Sequence, residues 1–217
     1  MQPAILEPLT PERRRQQTRD HLLAAAAQVF SERGFHGASL DEVAAVAGFT
    51  KGAVYSNFRN KEGLFLALFK ANYEREAQQL RATLEGRSEG PPGSGLHDFV
   101  AFIREQTRQW GGNTFAVLFQ EFWLYAVRNP AAREQLTSLE DENARDIAQI
   151  IESERTRYDL EPLESAERIA RVVVALFRGI GLLGVLQPDV ADDTLIETAI
   201  SLVARGLGVP TTDESVP

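Results

Sequence analysis

The stretch Ser39-Leu-Asp-Glu-Val-Ala-Ala-Val-Ala-Gly48-Phe-Thr50-Lys-Gly-Ala-Val-Tyr55-Ser-Asn-Phe58 decides how this 217-residue chain is expected to fold. It reads as two short helices joined by a tight turn. Ser39 and Glu42 are spaced so that each side chain can satisfy a free backbone donor of the other, the capping box that opens a helix. Leu40, Val43, Ala44 and Ala47 then recur at the spacing of one apolar helical face. Gly48 ends that helix, because glycine takes the left-handed backbone conformation without a Cβ penalty. Two residues later Thr50 offers a hydroxyl to cap a second helix. The layout is that of a helix-turn-helix, in which the first residues of the second helix face base edges in the DNA major groove.

On that second helix Lys51, Gly52, Tyr55 and Ser56 are expected to face outward, with Val54 and Phe58 inward. Ser39, Thr50 and Tyr55 carry hydroxyls suited to phosphate oxygens, and Lys51 carries a charge that neutralises phosphate. Gly52 and Ala53 are small enough for close approach to bases or thymine methyl groups. Asn57 adds an amide at the end of the helix. The net charge of −8 fits this only once it is divided. Residues 1–61 carry eight Lys/Arg against six Asp/Glu, whereas residues 62–217 carry fifteen against twenty-five. An acidic remainder weakens non-specific attraction to DNA and keeps phosphate contacts local to the basic end. Arg13, Arg14, Arg15 and Arg19 form the densest cationic cluster, which is either a contact to the duplex backbone or minor groove or an ordinary solvated first turn.

The rest of the chain reads as helical almost throughout. Thr10-Pro11-Glu12 is a helix start, and the following helix runs to Gly34. A helix from Asn60 to about Glu85 would extend about 35–40 Å at 1.5 Å per residue. Residues 86–95, rich in Gly, Pro and Ser, form the clearest loop. Further helices are expected over 96–110, 114–128, 130–157, 163–187 and 193–206, with Asn129-Pro130 as a cap and first-position proline. No stretch alternates with period two for long enough to argue a strand, so the fold class is all-α. The expected organisation is residues 1–60 as an N-terminal arm and helix-turn-helix domain and 61–210 as a helical body. Residues 211–217 form a tail with the composition of a disordered segment.

Several function classes find no support in the residues. There is no cysteine, hence no disulfide and no thiolate metal site. His21, His36 and His97 are scattered, and none sits at metal-ligand spacing on an expected helix face, so no metal, cofactor or catalytic residue is assigned. Acidic residues between Glu134 and Glu167 alternate with arginines and read as solvated helix faces. Gly179-Ile-Gly181-Leu-Leu-Gly184 matches a dinucleotide-binding fingerprint letter for letter, but it lies inside a helical pattern rather than between a strand and a helix. Its glycines are better read as sites of close helix approach. No signal peptide is expected, and Arg171 and Arg178 interrupt the most apolar stretch, which therefore does not read as a membrane span. A cytoplasmic protein is the expectation.

The helix-turn-helix and its flanks resemble the TetR/AcrR family of transcriptional regulators. The resemblance rests on the Arg-rich start of the first helix, on Ala25, Phe30, Gly34 and Phe35, on Ser39 to Gly48, and on Val54-Tyr55-Ser56-Asn57-Phe58-Arg-Asn-Lys61-Glu62-Gly-Leu64-Phe65. It covers about a quarter of the chain. Asn57 stands where many family members have histidine, which changes the chemistry of any contact there. Asn60 and Lys61 match the start of the family's fourth helix, where a lysine and free backbone N–H groups meet a phosphate.

The resemblance implies a small-molecule pocket among the middle helices of the body, largely apolar or aromatic. The candidates for its lining are Phe102, Trp110, Phe115, Phe119, Phe122, Trp123 and Phe177, set against plain core packing of the same stripe. Glu121 either orients a ligand or pairs with Arg128. The last two helices are apolar over much of their girth, and the family's four-helix dimer bundle implies an interface through Val172, Leu176, Ile180, Leu183, Leu195, Ala199 and Leu202. The function implied is a homodimeric, sequence-specific repressor released from an inverted-repeat operator by a small molecule. The alternative is a constitutive dimeric DNA-binding protein with no effector.

Overall fold

The computed structural model describes residues 10–85, 114–161, 163–206 and 208. Among them there are eight helices and no strand: α1 Pro11–Gly37, α2 Leu40–Ala47, α3 Lys51–Asn57, α4 Lys61–Glu85, α5 Thr114–Arg128, α6 Pro130–Tyr158, α7 Ala166–Leu186 and α8 Asp193–Gly206. The fold is all-α. The expected helix over 96–110, the loop at 86–95 and the tail at 211–217 lie outside the described residues. The chain divides into two packed units, Met1–Phe69 and Lys70–Pro217, and α4 contributes residues to both.

The first unit is built around phenylalanines. Thr10 Oγ1 accepts from the Arg13 N–H and Pro11 occupies the first helical position, so α1 starts where the sequence says it should. Its buried face is Leu22, Ala25, Ala26, Val29 and Phe30. Gly34, with φ 69° and ψ 173°, breaks the helical path, and one further turn turns Phe35 inward. Phe65 on α4 meets both Phe30 and Phe35 edge-on at 5.0 Å between ring centroids and stacks on Phe69 at 4.6 Å. Edge-to-face pairs add about 0.5–1.5 kcal/mol each beyond the area they bury. The core of the helix-turn-helix unit therefore extends into α4 as far as Phe69.

The second unit is held by short-range apolar contacts and by a set of clasps on α6. Ala77, Leu80 and Leu84 of α4 pack with Ile150 of α6, and Ala148 of α6 packs with Ala166 and Ala170 of α7. Glu140, Asp141, Glu142 and Asp146 read in sequence as a solvated acidic face. Instead they reach across to neighbouring helices: Glu142 to Lys70 at 2.5 Å, Asp146 to Arg81 at 3.6 Å, Asp141 to Arg171 at 3.0 Å, and Glu140 to Arg178. The more exposed of these pairs contribute roughly 0–1 kcal/mol each, so they set helix register more than stability.

Two helix starts differ from the sequence reading. α7 begins at Ala166 rather than at residue 163, because Ser165 takes the cap position and its Oγ accepts from the Arg168 N–H. Asn129 precedes Pro130 as expected but makes no side-chain cap on α6; its Nδ2 donates to the Tyr125 carbonyl, closing the end of α5. Of the three glycines in the false fingerprint, Gly181 permits a close approach, since a Cβ there would lie 3.3 Å from Ala116 Cβ on α5.

On α4 the side chain of Asn72 is buried and donates from Nδ2 to Glu76 Oε1 at 2.7 Å, while Arg75 donates to Asn72 Oδ1 at 2.6 Å. Burial raises the Glu76 carboxyl above its ordinary value, against the opposing pull of Asn72 and Arg75. A carboxyl raised on folding binds more protons in the folded state, so its charge costs stability as pH rises through the folded pKa. Glu76→Gln keeps the acceptor for Asn72 and removes that charge. It is expected to raise Tm at pH 7.5 by about 2–4 °C, the shift that ~1 kcal/mol gives a chain of this size. The gain should shrink as pH falls toward 4.5 in parallel melts of the two proteins.

Candidate nucleic-acid interface

The helix-turn-helix is fixed at three backbone positions. Ser39 Oγ accepts from the Glu42 N–H at 3.2 Å while Glu42 Oε2 accepts from the Ser39 N–H at 3.1 Å, so the capping box is complete. Gly48 sits at φ 70°, ψ 24°; the Phe49 N–H reaches the Ala44 carbonyl at 3.0 Å and the Gly48 N–H the Ala45 carbonyl at 3.2 Å, a Schellman turn. Thr50 Oγ1 accepts from the Ala53 N–H at 3.2 Å and opens α3. Val54, at 0% exposure, and Phe58 turn inward and dock α3.

That docking leaves Thr50, Lys51, Gly52, Tyr55 and Ser56 exposed, with Ala53 and Asn57 half-buried. Tyr55 is 56% exposed despite its ring, and nothing but Thr50 Oγ1, at 3.8 Å, approaches a Cβ built on Gly52. The Lys51 ammonium is not idle: it meets Asp41 of α2 at 2.5 Å, and that hydrogen bond and charge hold its pKa above the ordinary lysine value. Ser56 Oγ and Asn57 Nδ2 both donate to the Ala53 carbonyl, at 2.9 and 2.8 Å. Asn57 Nδ2 also reaches Ser56 Oγ at 3.5 Å, so the donors of both side chains are engaged within α3.

Lys61 and Arg19 have roles that pattern reading does not show. Lys61 Nζ donates to the His36 and Ala38 carbonyls, both at 3.1 Å, and stands over the Phe35 ring, closing the end of α1. Asn60 caps α4 through Oδ1 to the Gly63 N–H at 2.8 Å. Arg19, grouped in sequence with Arg13, Arg14 and Arg15, lies over the Phe58 ring at 4.6 Å and donates to the Asn57 carbonyl. It clasps the end of α3 to α1, while the other three stand exposed on the first turns of α1.

Comparison with known proteins agrees with this geometry. The family model for bacterial regulatory proteins of the tetR family matches residues 22–68, and that for the C-terminal part of BetI-type transcriptional repressors matches residues 97–208, just over half of the chain. The protein belongs to the TetR family. Escherichia coli UidR, an HTH-type transcriptional regulator, is 26% identical over 76% of this chain and 80% of its own length. Shigella flexneri AcrR, also an HTH-type transcriptional regulator, is 34% identical over 42% of each chain. The reduced form of E. coli NemR superposes with a TM-score of 0.64 at 26% identity, over 90% of this chain and all of that one. As a TetR-family member the chain is a DNA-binding transcriptional regulator, and the relatives compared are regulators rather than enzymes.

The TetR-family body distributes the remaining candidates unevenly. Phe119 and Phe122 are buried at 3% and 0% exposure, and Phe115 and Phe177 are half-buried. Trp123 is exposed, with Leu124 and Val127 beside it on α5, so it does not join the buried aromatics. Phe102 and Trp110 lie outside the described residues. On α7 and α8, Val172 and Leu202 are exposed, Leu176, Ile180, Leu183 and Leu195 are half-buried, and Ala199 is buried within the subunit. α7 is long and apolar enough to cross a membrane by length and composition, yet Arg171 and Arg178 tie it to α6.

The turn makes a stability prediction independent of DNA. Gly48→Ala forces a side chain into the left-handed region and is expected to cost about 1–2 kcal/mol, and Ser39→Ala about 1 kcal/mol through the lost cap. Both should appear as earlier proteolysis within residues 10–69 on limited digestion, with the α5–α8 fragment persisting as in wild type.

Proposed function

We propose that this TetR-family protein is a homodimeric repressor that reads an inverted-repeat operator with α3 and releases it when a small molecule binds the helical body. The observation that carries the DNA half is the exposed surface of Thr50, Lys51, Gly52 and Tyr55 on a helix held from behind by Val54, Phe58 and Arg19. Ser39, Thr50 and Tyr55 supply hydroxyls for phosphate, and Gly52 and Ala53 give room at base edges. Lys51 exchanges Asp41 for phosphate, which lets Asp41 lower attraction to DNA that offers no specific contacts. Ser56 and Asn57 act as acceptors for base amino groups, and Lys61 positions the start of α4 beside a phosphate. The reading head is residues 1–60 with the first turns of α4, the body follows to residue 210, and the protein works in the cytoplasm.

Dimerisation is supported by the outer stripe of α7. Val172, Ala175, Gly179 and Leu186 recur along one exposed face, and Gly179 leaves open space where a Cβ would stand. A second copy of α7 and α8 packed there would cover Val172, Leu176, Ile180, Leu183, Leu195 and Leu202 around a two-fold axis. The effector is proposed to bind beside Phe115, Phe119, Phe122 and Phe177, with α4 as the path along which its binding reaches the head. A second reading, a constitutive dimer without an effector, is favoured by the near-complete burial of Phe119 and Phe122, as in a filled core. The two separate in a titration: DNA must weaken ligand binding by the factor by which ligand weakens DNA binding, and a constitutive protein gives no such pair of shifts.

Selection of duplexes from a random DNA library, followed by sequencing, tests the main reading. An enriched inverted repeat is the expected result, and a single half-site without symmetry would remove the dimeric reader. On the selected duplex, Lys51→Ala is expected to weaken binding across sequences and lower the salt slope by about 1, and Tyr55→Ala to weaken it by roughly 10-fold or more. Val172→Asp should shift the protein to monomer in sedimentation velocity at micromolar concentration while its helix content is kept.

A further inference from the structure

The polar centre of the body lies where four helices meet. Arg178 of α7 donates through Nη2 to Glu140 Oε2 of α6, and its guanidinium carbon stands over the Phe119 ring of α5, 4.0 Å from the centroid. Tyr73 of α4 donates from Oη to the other carboxylate oxygen, Glu140 Oε1, at 3.2 Å. Burial, joined by the charge of Glu140, holds the Tyr73 phenol well above its ordinary pKa, so it remains a donor. One turn from Arg178, Gly181 meets Ala116 of α5 so closely that the two helices pin the guanidinium against the ring.

The partners are not equally satisfied. Both oxygens of Glu140 are engaged. Arg178 has five N–H donors in one plane, and among the described residues only its Nη2 group has an acceptor. A part-buried ion pair contributes little net stability, because desolvation offsets most of its Coulomb energy, so a cation left with spare donors beside buried aromatics calls for another partner. Its side chain keeps 25% exposure, enough to be reached.

We propose that Arg178 is the effector's anion-recognition residue: the small molecule that binds the body is an apolar-bodied carboxylate, which takes the free edge of the Arg178 guanidinium while its apolar part packs on the apolar side chains around that edge. A planar guanidinium matches a carboxylate with two parallel hydrogen bonds, and Glu140, held by Tyr73, keeps the guanidinium aimed. A cationic effector is disfavoured, since it would meet the like charge of the Arg178 guanidinium while Glu140 is already neutralised by it. The inference rests on the reading of the body as an effector-binding unit.

The test uses the full-length protein and a panel of matched pairs: benzoate, phenylacetate, 4-phenylbutyrate, octanoate and dodecanoate, each beside its primary amide. Thermal shift reports binding, since a ligand of the folded state raises Tm with concentration, and fluorescence anisotropy of the selected operator reports release. The expected result is that at least one acid raises Tm while its amide does not. Arg178→Gln should weaken that acid about 10- to 100-fold, the loss of a charge-assisted pair. Glu140→Gln should tighten it, because the repelling charge is gone while the amide oxygen still accepts from Arg178 and keeps the guanidinium aimed. That second variant guards against reading misfolding of Arg178→Gln as lost recognition. Acids and amides acting alike, an Arg178→Gln variant that binds as wild type, or silence across the panel from protein that still binds operator would each overturn the inference. Release of operator by amides alone would leave the ligand-responsive repressor standing and remove the carboxylate. Arg178-dependent binding of an acid with no effect on operator would do the reverse.

Discussion

The left-handed backbone at Gly48 is the constraint on which the reading head depends. With φ at 70°, it turns the chain inside three residues and lets two short helices share one apolar wedge, Val43, Ala44 and Val54. Helices of eight and seven residues are too short to persist alone. They exist because the start of each is capped and because the wedge is buried in the same unit as the cluster of Phe30, Phe35 and Phe65. That aromatic cluster is contributed by α1 and α4, so the recognition surface is only as rigid as the contact between helices far apart in sequence. Arg19 belongs to the same logic: a cation spent on a carbonyl and a ring at the end of α3 fixes the helix that must be aimed.

Charge is distributed by the same division of labour. In the head, Lys51 and Lys61 are both held before any partner arrives, one by a carboxylate and one by two carbonyls. A held lysine loses less side-chain freedom on meeting phosphate, but it must also give up the contact it has. For Lys51, exposed and paired with exposed Asp41, that exchange is cheap. Lys61 is half-buried over the Phe35 ring, with two of its three ammonium hydrogens already on carbonyls.

Local rules made the head legible in sequence, and non-local ones hid the rest. The capping box, the Schellman glycine, the Thr50 cap and the proline starts are each decided within five residues, and each is where the residues indicate. Helix limits at 114–128 and 193–206 follow from breakers and caps in the same way. Pairings across helices leave no such trace. Glu140, Asp141, Glu142 and Asp146 look like a solvated run because nothing in a single helix says that lysine and arginine from α4 and α7 will stand opposite. Trp123 misled for the converse reason: it falls within a broad apolar arc, but the arc is wider than the surface α5 buries, and Trp123, Leu124 and Val127 are left at its outer edge. Charge groups Arg19 with its neighbours and the family match sets Lys61 at a phosphate, and neither reveals whether the guanidinium or ammonium is already occupied.

The helix α7 gathers these strands. Its inner face carries small residues, Ala166, Ala170, Gly181 and Gly184, that bring α5 and α6 close enough for Arg178 to be trapped between a ring and a carboxylate. Its outer face, bearing Val172, Ala175 and Gly179, is apolar and uncovered within one chain. A helix that is apolar on most sides needs burial on most sides, and the glycines, costing ~1 kcal/mol each relative to alanine, are retained on both faces. The same element therefore presses inward on part-buried Arg178 and outward on whatever covers Val172. Any shift of α7 moves both faces together, so the binding proposed beside Arg178 and the packing proposed on the outer stripe are coupled through one helix.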